Sequence, residues 1–469
     1  MPAEAVLGHA NSLEAGLIAL VQAFAPYREA LAQHAAPPTA RGVAMLDRVA
    51  TDAYVTVLQR AHGLGLVDRL ALSVVPLCSL HAGYSAIAYA HKVEARQRGL
   101  VPVPLIFVSY DRAASPWDWP LVFHELGHPL LRDLCGGAPA LEIEWAAALS
   151  QLALQGTSDP TVAGYWSRWS GEVFADVIGV MLGGPAYALA LQEALALPRE
   201  ILAQFHPEDP HPPQVVRIVL CAGVLRNLGF TGEAERLEQR QLAIYGPMPQ
   251  FEALLAALPT VVMPLTTMPL QALHRRSLVD LVTPFSYSDQ RTVETAAHAL
   301  LEGAAPPAMR PVQVASAARW AFEQVTGADQ PARLAEAATS ALFDARPAEP
   351  ARLDNQVVEQ FLRQMQPAPQ APAERAEEAQ EMSQTIAGAL TVTKSKAYLD
   401  PFPVMGPAGE IVEIENGHAG AALTDLNGRL VYVVGQIRRK DPARSSRLSI
   451  RLEQIRDLQT GQLLQVVEA

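Results

Sequence analysis

Between Phe123 and Leu131 the chain reads FHELGHPLL, with two imidazoles four residues apart and a carboxylate beside the first. On an α-helix, residues four apart share a face. His124 and His128 can therefore reach one Zn²⁺ ion while Glu125 points to the water beside it. A catalytic zinc takes three protein ligands and keeps its fourth position for water, so a third donor must come from elsewhere. The longer H-E-x-x-H-x-x-G-x-x-H pattern would supply it locally, but Leu131 and Leu134 occupy the positions where it needs Gly and His.

WSGEVFADVIGVMLGG, Trp169 to Gly184, offers an acidic donor. It reads as an apolar helix ending at Gly183-Gly184-Pro185, with Glu172 and Asp176 four apart on one face. Two acids on an apolar face call for a cation, a donor or solvent. Glu172 as a metal ligand answers that demand, with Asp176 accepting from the second ring nitrogen of a ligating histidine. Asp176 itself, Glu142 and Glu144 are competing ligands, and pairing of the acids with Arg168 is the reading without a metal. In DPHPPQVVRIVLCAGVL, His211 precedes Pro212-Pro213, a pair suited to opening a helix that carries Arg217 one turn further on. Taken alone, His211 reads as a surface-turn histidine.

The elements that must hold these groups can be traced outward. For the helix bearing the two histidines, Asp118 can act as N-cap, Pro120 is tolerable in the first turn, and Gly136 can close the C-terminus in a left-handed conformation. Pro129 cannot donate to the carbonyl of Glu125 and its ring presses on it, which predicts a kink just after His128. VPVPLIFVSY, Val101 to Tyr110, reads as a strand ending shortly before that helix. Leu70 to Ala90 lacks Asp, Glu, Lys and Arg, yet Ser, Pro, Cys, His, Gly and Tyr interrupt it. A spanning helix wants roughly 20 predominantly apolar residues, so this stretch reads as a buried helical segment.

At the largest scale, 469 residues, half of them apolar, can bury a large core divided into two or three domains. Helical periodicity dominates from about Ser12 to Leu362. We expect a mainly helical domain over 1–365 with a small strand element, a Pro/Ala/charge-rich linker and helix over 366–397, and a small C-terminal β-barrel or sandwich over 398–469. The last rests on runs such as RLVYVV and RLSIRL separated by Asn416-Gly417, Asn427-Gly428 and Thr460-Gly461. Lys and Arg total 36 against 48 Asp and Glu, a formal charge of −12 spread along the chain, which disfavours nucleic acid as a partner. The N-terminal sequence lacks the basic and apolar regions of a secretory signal. Cys78, Cys135 and Cys221 form no close pair, which suits a reducing cytoplasm.

HELGH, then EVFAD, then HPPQVVRI resemble in their order the gluzincin zinc metallopeptidases. Together they are most similar to the CAAX prenyl endopeptidases and their soluble relatives, while HELGH with an E-x-x-A-D/N helix is also similar to the cytoplasmic repressor-cleaving metalloproteases. The likeness covers roughly Val101 to Leu225, so the catalytic core is expected at about 101–225 of a zincin-like domain. It implies that His124, His128 and Glu172 bind zinc and that Glu125 is the general base. It further implies that Asp176 orients a ligating histidine and that His211, placed by Arg217, stabilises the tetrahedral oxyanion. The membrane spans of the prenyl endopeptidases are lacking, so neither a lipidated substrate nor a membrane partner is implied.

The expectation is a soluble cytoplasmic zinc endopeptidase acting on a protein or peptide substrate. The alternative is a zincin-fold binding or scaffold protein with a structural or vestigial metal, against which Glu125 weighs because a structural site has no use for a general base. The helices after Arg226 and the β region are expected to govern substrate choice or to bind a protein partner. Tyr432 and Arg438-Arg439-Lys440 read as structural.

Overall fold

The computed structural model describes residues 26–69, 71–81, 87–89, 103–136 and 139–351, together with six strands between 384 and 466. These belong to two compact units, Met1–Met365 and Gln366–Ala469.

The first unit is mostly helical. Helix α1 (Pro37–Gly63) leads into β1 (Leu77–His81), β2 (Ile87–Tyr89) and β3 (Leu105–Ser109), which form a small sheet in the order β1-β3-β2. Strand β1 runs parallel to β3, with Leu77 opposite Leu105, and β2 runs antiparallel to it. The stretch from Leu70 to Ala90, expected to be a buried helical segment, therefore contributes strands. Pro76 and Gly83 bound a run of only six residues, too short for a helix, and such short runs are decided by length and punctuation, since they have no usable period. The expected strand at Val101 to Tyr110 is realised as β3, and the chain turns at once into a short helix capped by the hydroxyl of Ser109.

A 3-10 turn, Pro116–Leu121, delivers the chain to α2 (Val122–Asp133). Asp118 lies inside that turn and does not cap α2, whose N-cap position is Leu121 with no side-chain hydrogen bond. The turn begins at Pro116, and Trp119 fixes it by donating from Nε1 to the carbonyl of Ala113 at 3.1 Å. The expected kink after His128 does not end the helix, which continues through Pro129 to Asp133. Gly136, just beyond the end, has φ +59°.

Helices α3 (Ala140–Thr157) and α4 (Pro160–Arg168) follow, then α5 (Ser170–Ala194). Helix α5 breaks at Gly184 (φ 56°, ψ −141°) and resumes at Pro185, so the expected stop is an interruption. An added Cβ at Gly184 would lie 2.3 Å from the Phe285 ring, so both the dihedral and the packing require glycine there. Of the described helices, α5 alone is long and apolar enough to cross a membrane, and its apolar window is 89% buried within the protein. It is a core helix, flanked by the fully buried rings of Trp145, Trp166 and Trp169.

The longer helices that follow are α6 (Gln214–Asn227), α7 (Thr231–Tyr245), α8 (Glu252–Leu265), α9 (Tyr287–Leu301), α10 (Pro311–Phe322) and α11 (Gln330–Asp344), with single turns at Arg199–Leu202 and Leu278–Leu281. Small residues on α10, among them Ala315, Ala317, Ala318 and Ala321, are buried, which lets that helix lie close to its neighbours.

The second unit contains β4 (Gln384–Val392), β5 (Ala397–Pro401), β6 (Val412–Ile414), β7 (Leu430–Arg439), β8 (Leu448–Asp457) and β9 (Leu463–Val466). Their order is β6-β5-β4-β7-β8-β9, and β6 also pairs parallel with β8. Strand β4 begins at Gln384, inside the segment assigned to the linker. Residues 366–383, Lys440 and the three Gly-containing turn dipeptides lie outside the described residues. The backbone of Tyr432 is opposite Ala387 and Arg456.

Candidate metal centre

Helices α2 and α5 cross closely because Gly127 has no side chain. A Cβ there would lie 2.4 Å from the Cα of Ala175, so the backbones meet where HELGH faces EVFAD. That approach brings His124, His128 and Glu172 together, with one ligand atom from each within 4.8 Å of the others. Nε2 of His124 lies 3.2 Å from Oε2 of Glu172, and Nε2 of His128 lies 3.4 Å from Oε1. The two imidazoles are 5.0 Å apart and perpendicular. These three residues can hold a metal ion. The observation that favours it is Oε2 of Glu172, which is buried and which Nε2 of His124 at 3.2 Å and Nη1 of Arg217 at 3.6 Å approach without hydrogen-bond geometry. A buried carboxylate oxygen with only such loose contacts, beside two ring nitrogens, is an arrangement that a cation would satisfy better.

Asp176 lies beneath His124, fully buried, and accepts from its Nδ1 at 2.9 Å. That bond leaves Nε2 turned toward Glu172 and fixes which nitrogen serves as a ligand atom. Asp176 also accepts from Nε and Nη2 of Arg217 at 2.8 and 2.7 Å and from the hydroxyl of Tyr187 at 2.7 Å. Arg217 comes from the first turn of α6, and its Nη1 lies 3.6 Å from Oε2 of Glu172. Its guanidinium is thus committed to the buried Asp176 and the partly buried Glu172, and it does not reach out to place His211.

His211 is held by Asp209, which accepts from both its backbone N–H and its Nδ1 at 2.9 Å. The ring is about half exposed, with Nε2 3.6 Å from Oε1 of Glu172. The competing acids lie elsewhere. Glu144 accepts from the backbone N–H groups of Gln271 and Ala272 at 2.7 Å, and Glu142 pairs with Arg132 at 3.1 Å. Arg168 pairs with Glu208, so it leaves Glu172 and Asp176 alone.

The electrostatics follow from this packing. Burial and the Arg217 charge lower the His124 pKa, but its bond to Asp176 and the nearby Glu172 carboxylate outweigh them and push it up to about 10. Burial and the neighbouring His124 charge push His128 down to about 4. Burial raises the carboxylates, yet Glu172 is held below the usual range by His124 and Arg217, and Asp176 by Arg217 and His124. Without a metal the centre thus carries two carboxylates, one guanidinium and one imidazolium; a divalent cation would take the place of the imidazolium proton.

The cluster forms part of a cleft of about 1010 Å³ that also contains Glu125, His211 and Arg217. Glu125 is only 6% exposed, next to two ligand residues but not among them. Sequence reasoning missed Tyr187 and Asp209. Tyr187 lies beyond the Gly184 break, which aims its hydroxyl back at Asp176, and Asp209 gave only the weak signal of an acid two residues before a histidine. Comparison with protein-family models, with curated proteins and with solved structures returns no match, so the residues themselves carry the functional reading.

Proposed function

We propose that this chain is a zinc-dependent metallopeptidase, an endopeptidase of gluzincin type acting in the cytoplasm on protein or peptide segments. The observation that carries the reading is Glu125, a buried carboxylate outside the ligand set that shares the cleft with it. A purely structural site has no use for such a group. The set of two imidazoles and one carboxylate suits zinc with an open position, and His124, His128 and Glu172 would hold it. When bound, zinc lowers the pKa of its water toward about 7 and polarises the scissile carbonyl.

The chain's own residues do the rest. Glu125 takes a proton from the attacking water and passes it to the leaving amine. His211, its Nδ1–H given to Asp209, offers Nε2 at the rim; when protonated it donates to the developing oxyanion, a role typically worth about 3 kcal/mol. Asp176, held by Arg217 and Tyr187, keeps His124 in the ligating tautomer. In the second unit, β6 pairs with both β5 and β8. We read the ring β4-β5-β6-β8-β7 as a small barrel that contributes to substrate or partner choice.

Zinc content and peptide hydrolysis measured together test the reading. The wild-type chain should bind one zinc per molecule and cleave unstructured casein, with phenanthroline stopping cleavage and added zinc restoring it. Glu125→Gln, nearly isosteric, should keep the zinc and lose the hydrolysis. Turnover near wild type in that variant refutes the mechanism. Stoichiometric zinc with no turnover on broad peptide libraries leaves the scaffold reading.

A further inference from the structure

From the last turn of α5 onward, the chain lines one wall of the cleft with a run of apolar side chains. Within 191–202 all the lining residues are apolar, and the larger ones are Leu191, Leu195, Leu197, Ile201 and Leu202. Three polar residues of the same stretch are engaged elsewhere, and the fourth, Glu200, is exposed and does not line the cleft. Gln192 donates to the carbonyl of Leu237, Glu193 pairs with Arg319, and Arg199 donates to the carbonyl of Pro247. Leu197 and Ile201 are each 50% exposed, so this wall leaves large aliphatic groups in contact with solvent inside the cleft that holds the metal cluster.

The wall is tied down by those bonds of Gln192, Glu193 and Arg199, and the chain that follows it is also held in place. Phe205 packs edge-on against Tyr165 and Trp169, with ring centroids 5.1 and 6.4 Å away, and against Phe251 at 6.1 Å. Arg168 donates to the carbonyl of Pro207, and Nε1 of Trp169 donates to that of Asp209 at 3.1 Å. A surface anchored in this way needs little ordering when something binds, which favours affinity.

The geometry points to this wall as the specificity subsite of the proposed peptidase. It takes a bulky aliphatic or aromatic side chain from an extended peptide whose scissile carbonyl lies at His124, His128 and Glu172. The inference rests on the peptidase reading and narrows its substrate class. Charge selects the same occupant. The 191–202 wall offers neither a carboxylate nor a cation, and the charged lining residues of both signs, Glu125, Glu172 and Asp209 with Arg112 and Arg217, lie outside it, so the wall disfavours acidic and basic side chains alike. Covering Leu197 and Ile201 removes apolar area from water on both partners.

The test uses the full chain carrying Glu125→Gln and loaded with zinc, so that binding is read without cleavage. Fluorescein-labelled alanine-rich octapeptides that differ at one position, bearing Leu, Phe, Ala, Asp or Lys, are titrated by anisotropy, and the varied position is moved along the peptide. At one position Leu and Phe should bind at least about tenfold tighter than Ala, as an apolar pocket discriminates added methylenes, and Asp should bind more weakly still. Adding Leu197→Asp and Ile201→Asp should abolish that preference at unchanged zinc content and melting temperature. Leu197→Lys should instead raise the relative affinity of the Asp peptide, a gain that misfolding cannot produce. Equal binding of Leu, Ala and Asp peptides at all positions, no peptide binding at all, or a preference that survives the double substitution overturns the subsite. Leu-selective binding without hydrolysis by the wild-type chain would instead overturn the peptidase reading and leave the subsite standing. Hydrolysis without preference does the reverse.

Discussion

At the scale of single residues, the two acids of EVFAD differ in what their loss removes. Glu172→Ala deletes a donor that faces both histidines, so zinc should be lost or held weakly. Asp176→Asn retains an acceptor oxygen for Nδ1 of His124 but takes the charge from beneath Arg217; such substitutions behind a ligand typically cost about 10–100-fold in metal affinity. A zinc titration of both variants checks the order of severity, and metal loss in Asp176→Asn with retention in Glu172→Ala reverses the ligand assignment. The pH dependence of binding follows from His124. Its pKa in the metal-free protein is pushed up to about 10, against burial and Arg217, by Asp176 and Glu172. Zinc binds the neutral ring, so below pH 10 one proton must leave for each ion bound. His128, pushed down to about 4 by burial, is already neutral. The apparent association constant should therefore rise about tenfold per pH unit between roughly pH 6 and 9. A slope near zero means that His124 carries no proton in the metal-free protein, and a slope near two means that His128 carries one as well.

At the scale of elements, the crossing of α2 and α5 makes a sharper demand than the ligand spacing does. A glycine inside an ordinary exposed helix is about 1 kcal/mol worse than alanine, so Gly→Ala there stabilises. At Gly127 the sign should invert, because the new Cβ meets the backbone of Ala175 at 2.4 Å and backbone cannot yield as a side-chain tip can. We expect Gly127→Ala to cost about 1–3 kcal/mol in denaturant unfolding, as overpacking does, and to weaken zinc binding by moving His124 and His128 away from Glu172. Gly164→Ala on α4, where nothing lies within 4 Å of the added Cβ, is the control and should be neutral or stabilising. This scale also shows what the sequence made legible. His124, Glu125 and His128 share one helix, so their spacing alone states their relation, and Glu172 with Asp176 stood out as charges on an apolar face. The target of Arg217 was hidden, because only the tertiary placement of α6 turns its first turn toward α5. Tyr187 was hidden by the Gly184 break. Strand β1 was misread because five residues, three of them apolar, carry no usable period, whereas the long helices repeat theirs several times.

For the whole molecule, the centre ties together segments far apart in the chain. Its ligands come from α2 and α5, and the groups behind them from α5 and α6, so the donor set is not preformed in an unfolded chain. A metal that binds only the folded state adds stability set by its concentration relative to its dissociation constant, roughly 4 kcal/mol at 1,000-fold excess. Zinc should therefore raise the melting temperature of the wild-type chain progressively with concentration, and chelation should lower it. Glu125→Gln should show the same rise, since Glu125 lies outside the ligand set, while Glu172→Ala should show little or none. Because the second unit lies apart from these helices in the chain, the gain belongs to the unit that spans Met1–Met365. A calorimetric trace that resolves two transitions should thus show one that moves with zinc and one that does not. Movement of both would mean that the units unfold together, and movement of neither in the wild-type chain would mean that His124, His128 and Glu172 do not hold the ion in the folded state.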